Sequence, residues 1–534
     1  MYPVSDGWEI TWNQLANSQN EAADSLLVWL LDANDPLVVQ RAVEMLLQRR
    51  SKAGLCALLR RWPKLDLGIK ELVRLGPSRL LGTLRDAVVS NDPWLFENAC
   101  QAACYLHEYD MIPALITVAE EAASEHGRLA AKTVFELSRL FHDELAKPRD
   151  YTNCYDPQLV RGRLLGSLEN SVNRFRKHSR HDLVAAFLCL VRRDDILLDR
   201  LLSDPHDPAY LCVVDQLTHS TQVSVIRLLL SFLDTVRLPS SVINIVSRRS
   251  DTAFIESLLT KLQEPLSRTA LHNLKRVENI AWVTNFGLLA EFDGKQQAAL
   301  MRLVIASGIK PSVYFLIVNY LLEDGKQEGR VAAVQALDGF HGNAANRLAL
   351  LALSDPAPAV QVHAIHQIRR RNIPDAMTRL LDFVDSDQEL VKEAARNCLP
   401  ELSFERYLAS FAAMGDAVRQ NVGSLVFKVD PDALRKLVTE LSSPVRSRRL
   451  RGLQIVQATE KSDGVEGLLL ELLGDTDHLV RIEAVRALQW STTPRALVAL
   501  QRAQLDQSVA VQDAVKDSLT AVIRKVGTTS AASV

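Results

Sequence analysis

Two kinds of side chain in this sequence have the types and spacing for chemistry. The first could bind a metal. Cys100, Cys104 and His107 fall at i, i+4 and i+7, so a helix would carry all three on one face. Thiolates and imidazoles are good zinc ligands, but a structural zinc needs four of them. Cys100 also falls on an apolar stripe, where a free cysteine packs as a small hydrophobic group, so the core reading is expected. His178 and His181, and likewise His363 and His366, are three apart with no cysteine or acid gathered beside them. Two ligands do not complete a site, and both pairs are expected at the surface. Ser203-Asp204-Pro205-His206-Asp207-Pro208 resembles a cation loop but reads as two successive turns.

No nucleotide or acyl-transfer motif is present. Gly294-Lys295 lacks the preceding glycine and following hydroxyl of a phosphate loop. Neither a dinucleotide glycine fingerprint nor a nucleophile elbow occurs. The sequence therefore assigns no catalytic residue, cofactor or metal ligand, and a non-enzymatic protein is expected.

The second kind is basic. Arg174, Arg176, Lys177 and Arg180 form one cluster, Arg369, Arg370 and Arg371 a second, and Arg446, Arg448, Arg449 and Arg451 a third. Guanidinium forks suit phosphates and carboxylates, so these eleven side chains are the candidate partner contacts. On one wall they would follow a nucleic-acid backbone or an acidic peptide. The alternative is a solvated face, with arginines favoured at helix C-termini. The whole chain has 62 basic and 64 acidic residues, a net charge of -2. That is unlike a dedicated nucleic-acid binder, and no aromatic cluster offers base stacking. A protein partner of unknown identity is favoured, with nucleic acid as the alternative.

The elements that would position these groups repeat along the chain. Asp355-Pro356 precedes Val360, Ala364, Ile365 and Ile368. Asp385 and Asp387 precede Val391, Ala395 and Leu399, and Asp475 and Asp477 precede Val480, Ala484, Val485 and Leu488. A last copy runs from Asp506 through Val511, Ala514 and Val515 to Leu519. Val360 and Val391 are 31 residues apart, as are Val480 and Val511. Two weaker copies between them are anchored near Val418 and Val445. Asp35-Pro36 and Asp92-Pro93 open the same pattern near the N-terminus. Proline cannot continue a helix but fits the first turn of the next, which the aspartate caps. The following residues form one buried stripe, which a lone hairpin cannot cover, so hairpins must stack.

The pattern resembles the HEAT repeat family of armadillo-type solenoids, strongly over about residues 323–526 and 23–106. The resemblance implies an all-α fold, an α-α superhelix of stacked helical hairpins that holds a protein partner on its concave face as a scaffold or adaptor. It also implies a ladder pairing the turn aspartate with a base early in the second helix. Asp475 or Asp477 with Arg481, and Asp387 with Lys392, match it; Asp355 and Asp506 face Gln361 and Gln512 instead. Some bacterial HEAT-like proteins resemble bilin lyases or DNA-repair glycosylases, but no residues here carry that chemistry over.

The expected division is an N-terminal segment 1–22, repeats 23–140, an interrupting polar loop and helix 141–182, divergent helical repeats 183–322, repeats 323–526 and a disordered tail 527–534. Seven scattered cysteines form no disulfide framework. No signal peptide and no membrane-length apolar run is seen, so a cytoplasmic location is expected.

Overall fold

The computed structural model describes residues 6–75, 80–121, 125–147, 156–491 and 493–531. Every regular element among them is helical, and the chain divides into two compact units, Met1–Ile317 and Val318–Val534.

Helices start where the turn chemistry directs. The Asp35 carboxylate accepts from Leu37 N at 2.9 Å and Pro36 takes the first helical position. Asp92 accepts from Trp94 N and Leu95 N, with Pro93 behind it. Asp156 and Pro157 repeat the device, and Asp477 accepts from Leu479 N and Val480 N. Such a cap stabilises its helix by about 1 kcal/mol. Several helices end on a left-handed residue that is not glycine: Arg50, His107, Ser179 and Glu460.

In the first unit the hairpins form two rows. Ala22–Leu30, Lys52–Arg60, Leu81–Val89, Ile112–Ala119 and Pro157–Asn173 pack each on the next. The second row runs Pro93–Leu106, Glu125–Leu145, His181–Leu190, Val223–Ser231, Thr252–Gln263 and Gly294–Ala306. The second unit repeats the plan. Asn343–Leu353, Ala376–Val384, Phe404–Ser410, Ala433–Leu441, Glu466–Leu472 and Pro494–Ala503 each pack on the helix that follows.

The core lies between the rows, on the stripe read from the repeat. Val360, Ala364, Ile365 and Ile368 are fully buried, as are Val480, Ala484, Val485 and Leu488. Each large side chain buried there contributes roughly 1.5–3 kcal/mol, available only because the neighbouring hairpin supplies the covering surface. In the last helix Ser518, not Leu519, completes the stripe, because the spacing there is i, i+3, i+4, i+7.

Four expectations are corrected. Val418 and Val445 are half exposed and anchor nothing. In those two repeats the buried positions include Gly423, Val426 and Val429, and Gly452, Leu453, Ile455 and Val456. The residues four before the glycines are Arg419 and Arg448, so the apolar anchor is missing and the register is hidden. The interrupting loop is shorter than expected, since His142 to Leu145 continue the helix Glu125–Leu145; residues 148–155 lie outside the described residues. The helix Val509–Ala531 runs into the segment read as a tail.

The fourth concerns the ladder, which joins consecutive repeats rather than closing within one. Arg481 pairs with Asp506, not with Asp475 or Asp477. Its Nη1 instead donates to the carbonyl of Asp475 at 2.8 Å. Arg449 Nε lies 2.9 Å from Asp475 Oδ2, while Arg449 Nη1 donates to the Ser443 and Pro444 carbonyls. Arg330 donates to both oxygens of Asp355 and to the Gly325 carbonyl. Each arginine thus holds its own turn and reaches the aspartate of the next. That aspartate also closes its own turn through Ala357 N, Asp477 N or Ser508 N. Lys392 meets Glu389, one helical turn away, rather than Asp387.

Candidate binding surface

The basic clusters are drawn largely into the stack. Arg448 and Arg451 converge on Glu440, at 2.5 and 3.1 Å. Glu440 is only 3% exposed. Burial works to raise its carboxyl, and the two guanidiniums outweigh it and hold it low. Arg446 pairs with Asp477 at 2.6 Å. In the second cluster Arg369 pairs with Glu401 and Arg370 with Asp338, while Arg371 donates to the Phe340 and Leu337 carbonyls. In the first, Arg174 pairs with Glu120 at 2.6 Å and Arg180 donates to the Ala119 and Glu121 carbonyls. Arg176 and Lys177 are exposed, and no ion pair is recorded for either among the described residues. The three clusters are therefore not one open basic stripe. The acids opposite come from elsewhere in the stack: Glu440 from the preceding helix of the same hairpin, and Glu120, Asp338, Glu401 and Asp477 from neighbouring hairpins.

A different surface is open. In the first unit three cavities follow one another beside the second-row helices, the first reaching the helix Leu67–Leu75 and the second the first-row helix Pro157–Asn173. One of about 560 Å³ is lined by Glu71, Arg74, Gln101, Tyr105, Glu136 and Arg139. The next, about 640 Å³, is lined by His142, Arg161, Arg192, Arg193, Asp194 and Arg227, with Leu145 and Leu228 among its apolar walls. The third, about 500 Å³, shares Arg227 and Ser231 with it and adds Glu256, Thr260 and Lys261. Cavities of this size suit side chains of a bound segment or a small ligand. Arg161, Arg192 and Arg227 lie on or beside three different helices. No window of sequence gathers them; only the adjacent Arg192-Arg193 was a local signal.

Chains of several solved structures align with most of this chain at low identity. A chain from a study of a phosphorylation switch in the cadherin–beta-catenin interaction aligns with 94% of this chain and 99% of its own, at 14% identity and a TM-score of 0.30. Kap121p aligns with 97% of this chain and 57% of its own, at 14% identity and a TM-score of 0.26. A chain of the AP-3 complex in an intermediate open conformation aligns with 96% of this chain and 93% of its own, at 12% identity and a TM-score of 0.38. No family model and no curated protein sequence matches. The decisive observation is the stacking of consecutive hairpins in two rows.

The fold is all-α, with consecutive helical hairpins stacked as in an α-solenoid.

The solenoid's own packing accounts for the candidate metal ligands. Cys100 is buried, and burial pushes its thiol up to about 11 and that of Cys104 up to about 12. His107 occupies the left-handed cap of the helix Pro93–Leu106. His178 is not at the surface as expected. It is 5% exposed, its Nδ1 accepts from Arg180 N at 3.0 Å, and its Nε2 lies 3.1 Å from the Ser171 carbonyl. It ties the helix Pro157–Asn173 to the turn before His181. In the other pair, His363 Nε2 lies 2.9 Å from Gln335 Nε2 and His366 Nδ1 lies 3.5 Å from Cys398 Sγ. Asp204 and Asp207 accept from His206 N and Ala209 N, two successive turns. Among the described residues no group of three or more His, Cys, Asp or Glu gathers as a metal site, and no helix is long and apolar enough to cross a membrane.

Two side chains missed in the sequence hold the solenoid as the arginine ladder does. Asn98 Nδ2 donates to the Leu59 and Arg60 carbonyls, and Asn273 Nδ2 to those of Leu233 and Thr235. Both are nearly fully buried. Each satisfies carbonyls left open at the end of an earlier helix. An asparagine on an otherwise apolar stripe was the available signal.

Proposed function

We propose that this protein is a non-enzymatic scaffold or adaptor that holds a protein partner along the second-row helices of its first unit. The observation that carries the reading is the run of three open cavities from Gln101 to Thr260. A chain lying there would meet polar, charged and apolar surface in alternation, which gives many modest contacts in place of one deep pocket. The nucleic-acid alternative loses support because most of the basic side chains that suggested it already face an acid or a carbonyl of the solenoid.

The test is site-specific photo-crosslinking in cells. A photoreactive residue in place of Gln101 or Thr260 should trap the same partner. One in place of Arg85, exposed on the first-row helix Leu81–Val89, should not. Trapping at Arg85 alone would place the partner on the other row and end the proposal.

A further inference from the structure

The middle cavity is distinguished by its charge. Among the described residues four guanidiniums line it, those of Arg161, Arg192, Arg193 and Arg227, against the carboxylate of Asp194. Two of the four are committed to the fold. Arg161 Nε donates to the Leu190 carbonyl at 2.8 Å, and Arg193 donates to the Ser231 carbonyl and stands 3.9 Å from Asp234. The other two are not neutralised. Among the described residues Arg192 donates to the neutral Gln158 Oε1, at 2.9 Å. Arg227 is exposed, with no ion pair recorded among the described residues. Gathering like charges at a half-enclosed site is unfavourable in the empty state, and an anion placed among them is correspondingly favoured. Burial holds Arg161 below its ordinary value, with Arg192 adding to it and Asp194 and Asp195 opposing; burial also lowers His142, with the Cys189 carbonyl and Asp143 opposing and Arg227 and Arg161 adding to it. Elsewhere in the molecule comparable clusters meet a carboxylate, as Arg448 and Arg451 meet Glu440. Here, among the described residues, no carboxylate is paired with Arg192 or Arg227.

We propose that this cavity receives an oxyanion-bearing side chain, a carboxylate or phosphate, from an acidic peptide segment of the partner, with Arg192 and Arg227 as its direct ligands. The proposal rests on the scaffold reading and specifies the chemistry of the segment bound. Arginine suits the role because its fork pairs in-plane with two oxygens of either group. Leu145 and Leu228 supply apolar wall for the stem of the bound side chain.

The experiment uses the full chain and fluorescence anisotropy at low salt with three probes: a fluorescein-labelled hexaglutamate peptide, a phosphoserine-containing peptide of the same length, and an oligothymidylate. One or both peptides should bind, with affinity falling as salt rises. Tighter binding of the phosphopeptide would make phosphate the natural group, and parity or preference for glutamate would make it carboxylate. The R192E/R227E double variant should lose at least about tenfold in affinity, and R192Q/R227Q should lose less. The R176E/K177E variant should bind within about twofold of the parent, since only rim charges distant from the cavity change. Circular dichroism should show equal helicity in all. Failure of both peptides to bind, or an equal loss in R176E/K177E, would overturn the proposal. So would an oligothymidylate that binds more tightly than either peptide and depends on the same arginines. If the cavity fails while crosslinks persist at Gln101 and Thr260, the scaffold reading stands without it.

Discussion

The guanidinium of Arg481 donates through Nε and Nη2 to both carboxylate oxygens of Asp506, at 2.9 and 3.0 Å, across the boundary between two repeats. Both side chains are mostly buried, at 15% and 13% exposure. The contact is therefore screened little by solvent, unlike a surface pair.

Removing one partner should consequently cost more than a surface charge. Asp506→Ala is expected to destabilise the second unit by about 2–3 kcal/mol, since it also deletes the acceptor for Ser508 N. Because each repeat contacts only its neighbours, the loss should be local. Hydrogen exchange should accelerate first in the helices Pro494–Ala503 and Val509–Ala531. The pair also has a pH signature. Arg481 holds the Asp506 carboxyl below its ordinary value. A carboxyl lowered on folding contributes stability that is whole above its unfolded value, near pH 4, and lost as pH falls through its lower folded value. Urea melts of the parent and of Asp506→Ala should differ at pH 7 and converge toward pH 3.

Charge reversal at Arg449 should behave as a folding mutation. Its side chain is 16% exposed and Asp475 opposite it 9%, so Arg449→Glu buries two like charges and should cost about 3–5 kcal/mol. Lys177→Glu, on an exposed side chain, should change stability by less than about 0.5 kcal/mol. Partner-binding tests in the third basic cluster therefore need a stability control, whereas Lys177 does not.

Glycines on helices divide into two kinds. A Cβ at Gly423 would overlap Thr459 Cγ2 and come within 2.6 Å of Tyr407 Oη. That oxygen is fixed by its bond to the Arg419 carbonyl at 2.7 Å. Gly423→Ala should destabilise by about 1–3 kcal/mol through overpacking. Gly162, on the helix Pro157–Asn173, has nothing within 4 Å of its Cβ position. Gly162→Ala should stabilise by about 0.5–1 kcal/mol through helix propensity. Thermal melts of the two variants should move in opposite directions.

The buried Cys100, Cys189 and Cys212 and the partly buried Cys104 should be chemically silent in the folded protein. Burial pushes the Cys100 and Cys189 thiols to about 11, and those of Cys104 and Cys212 to about 12. At pH 7.5 the thiolate fraction falls about 100-fold or more below that of a free cysteine. Labelling with a thiol reagent followed by peptide mapping should leave these four unmodified until denaturant is added. Fast native labelling of Cys100 or Cys189 would contradict their burial.

Local chemistry wrote most of the architecture into the sequence. The Asp-Pro pairs at Asp35-Pro36 and Asp92-Pro93 act within one turn, and the stripe through Val480, Ala484, Val485 and Leu488 is a property of one helix. Capping and helical periodicity need no distant partner, so helix starts, buried faces and the requirement to stack were all legible. Reading failed where the local signal was replaced, as at Arg419 and Arg448, which took the places of apolar anchors and left Val418 and Val445 as decoys.

What tertiary structure alone decided is which charge meets which. An arginine near the start of one helix reaches an aspartate in the next turn, as Arg481 reaches Asp506. Arg448 and Arg451 turn back to Glu440, and the cations around Arg161 come together from separate helices. Electrostatic pairing depends on distance in space, which a linear chain does not specify until hydrophobic stacking has set the helices side by side.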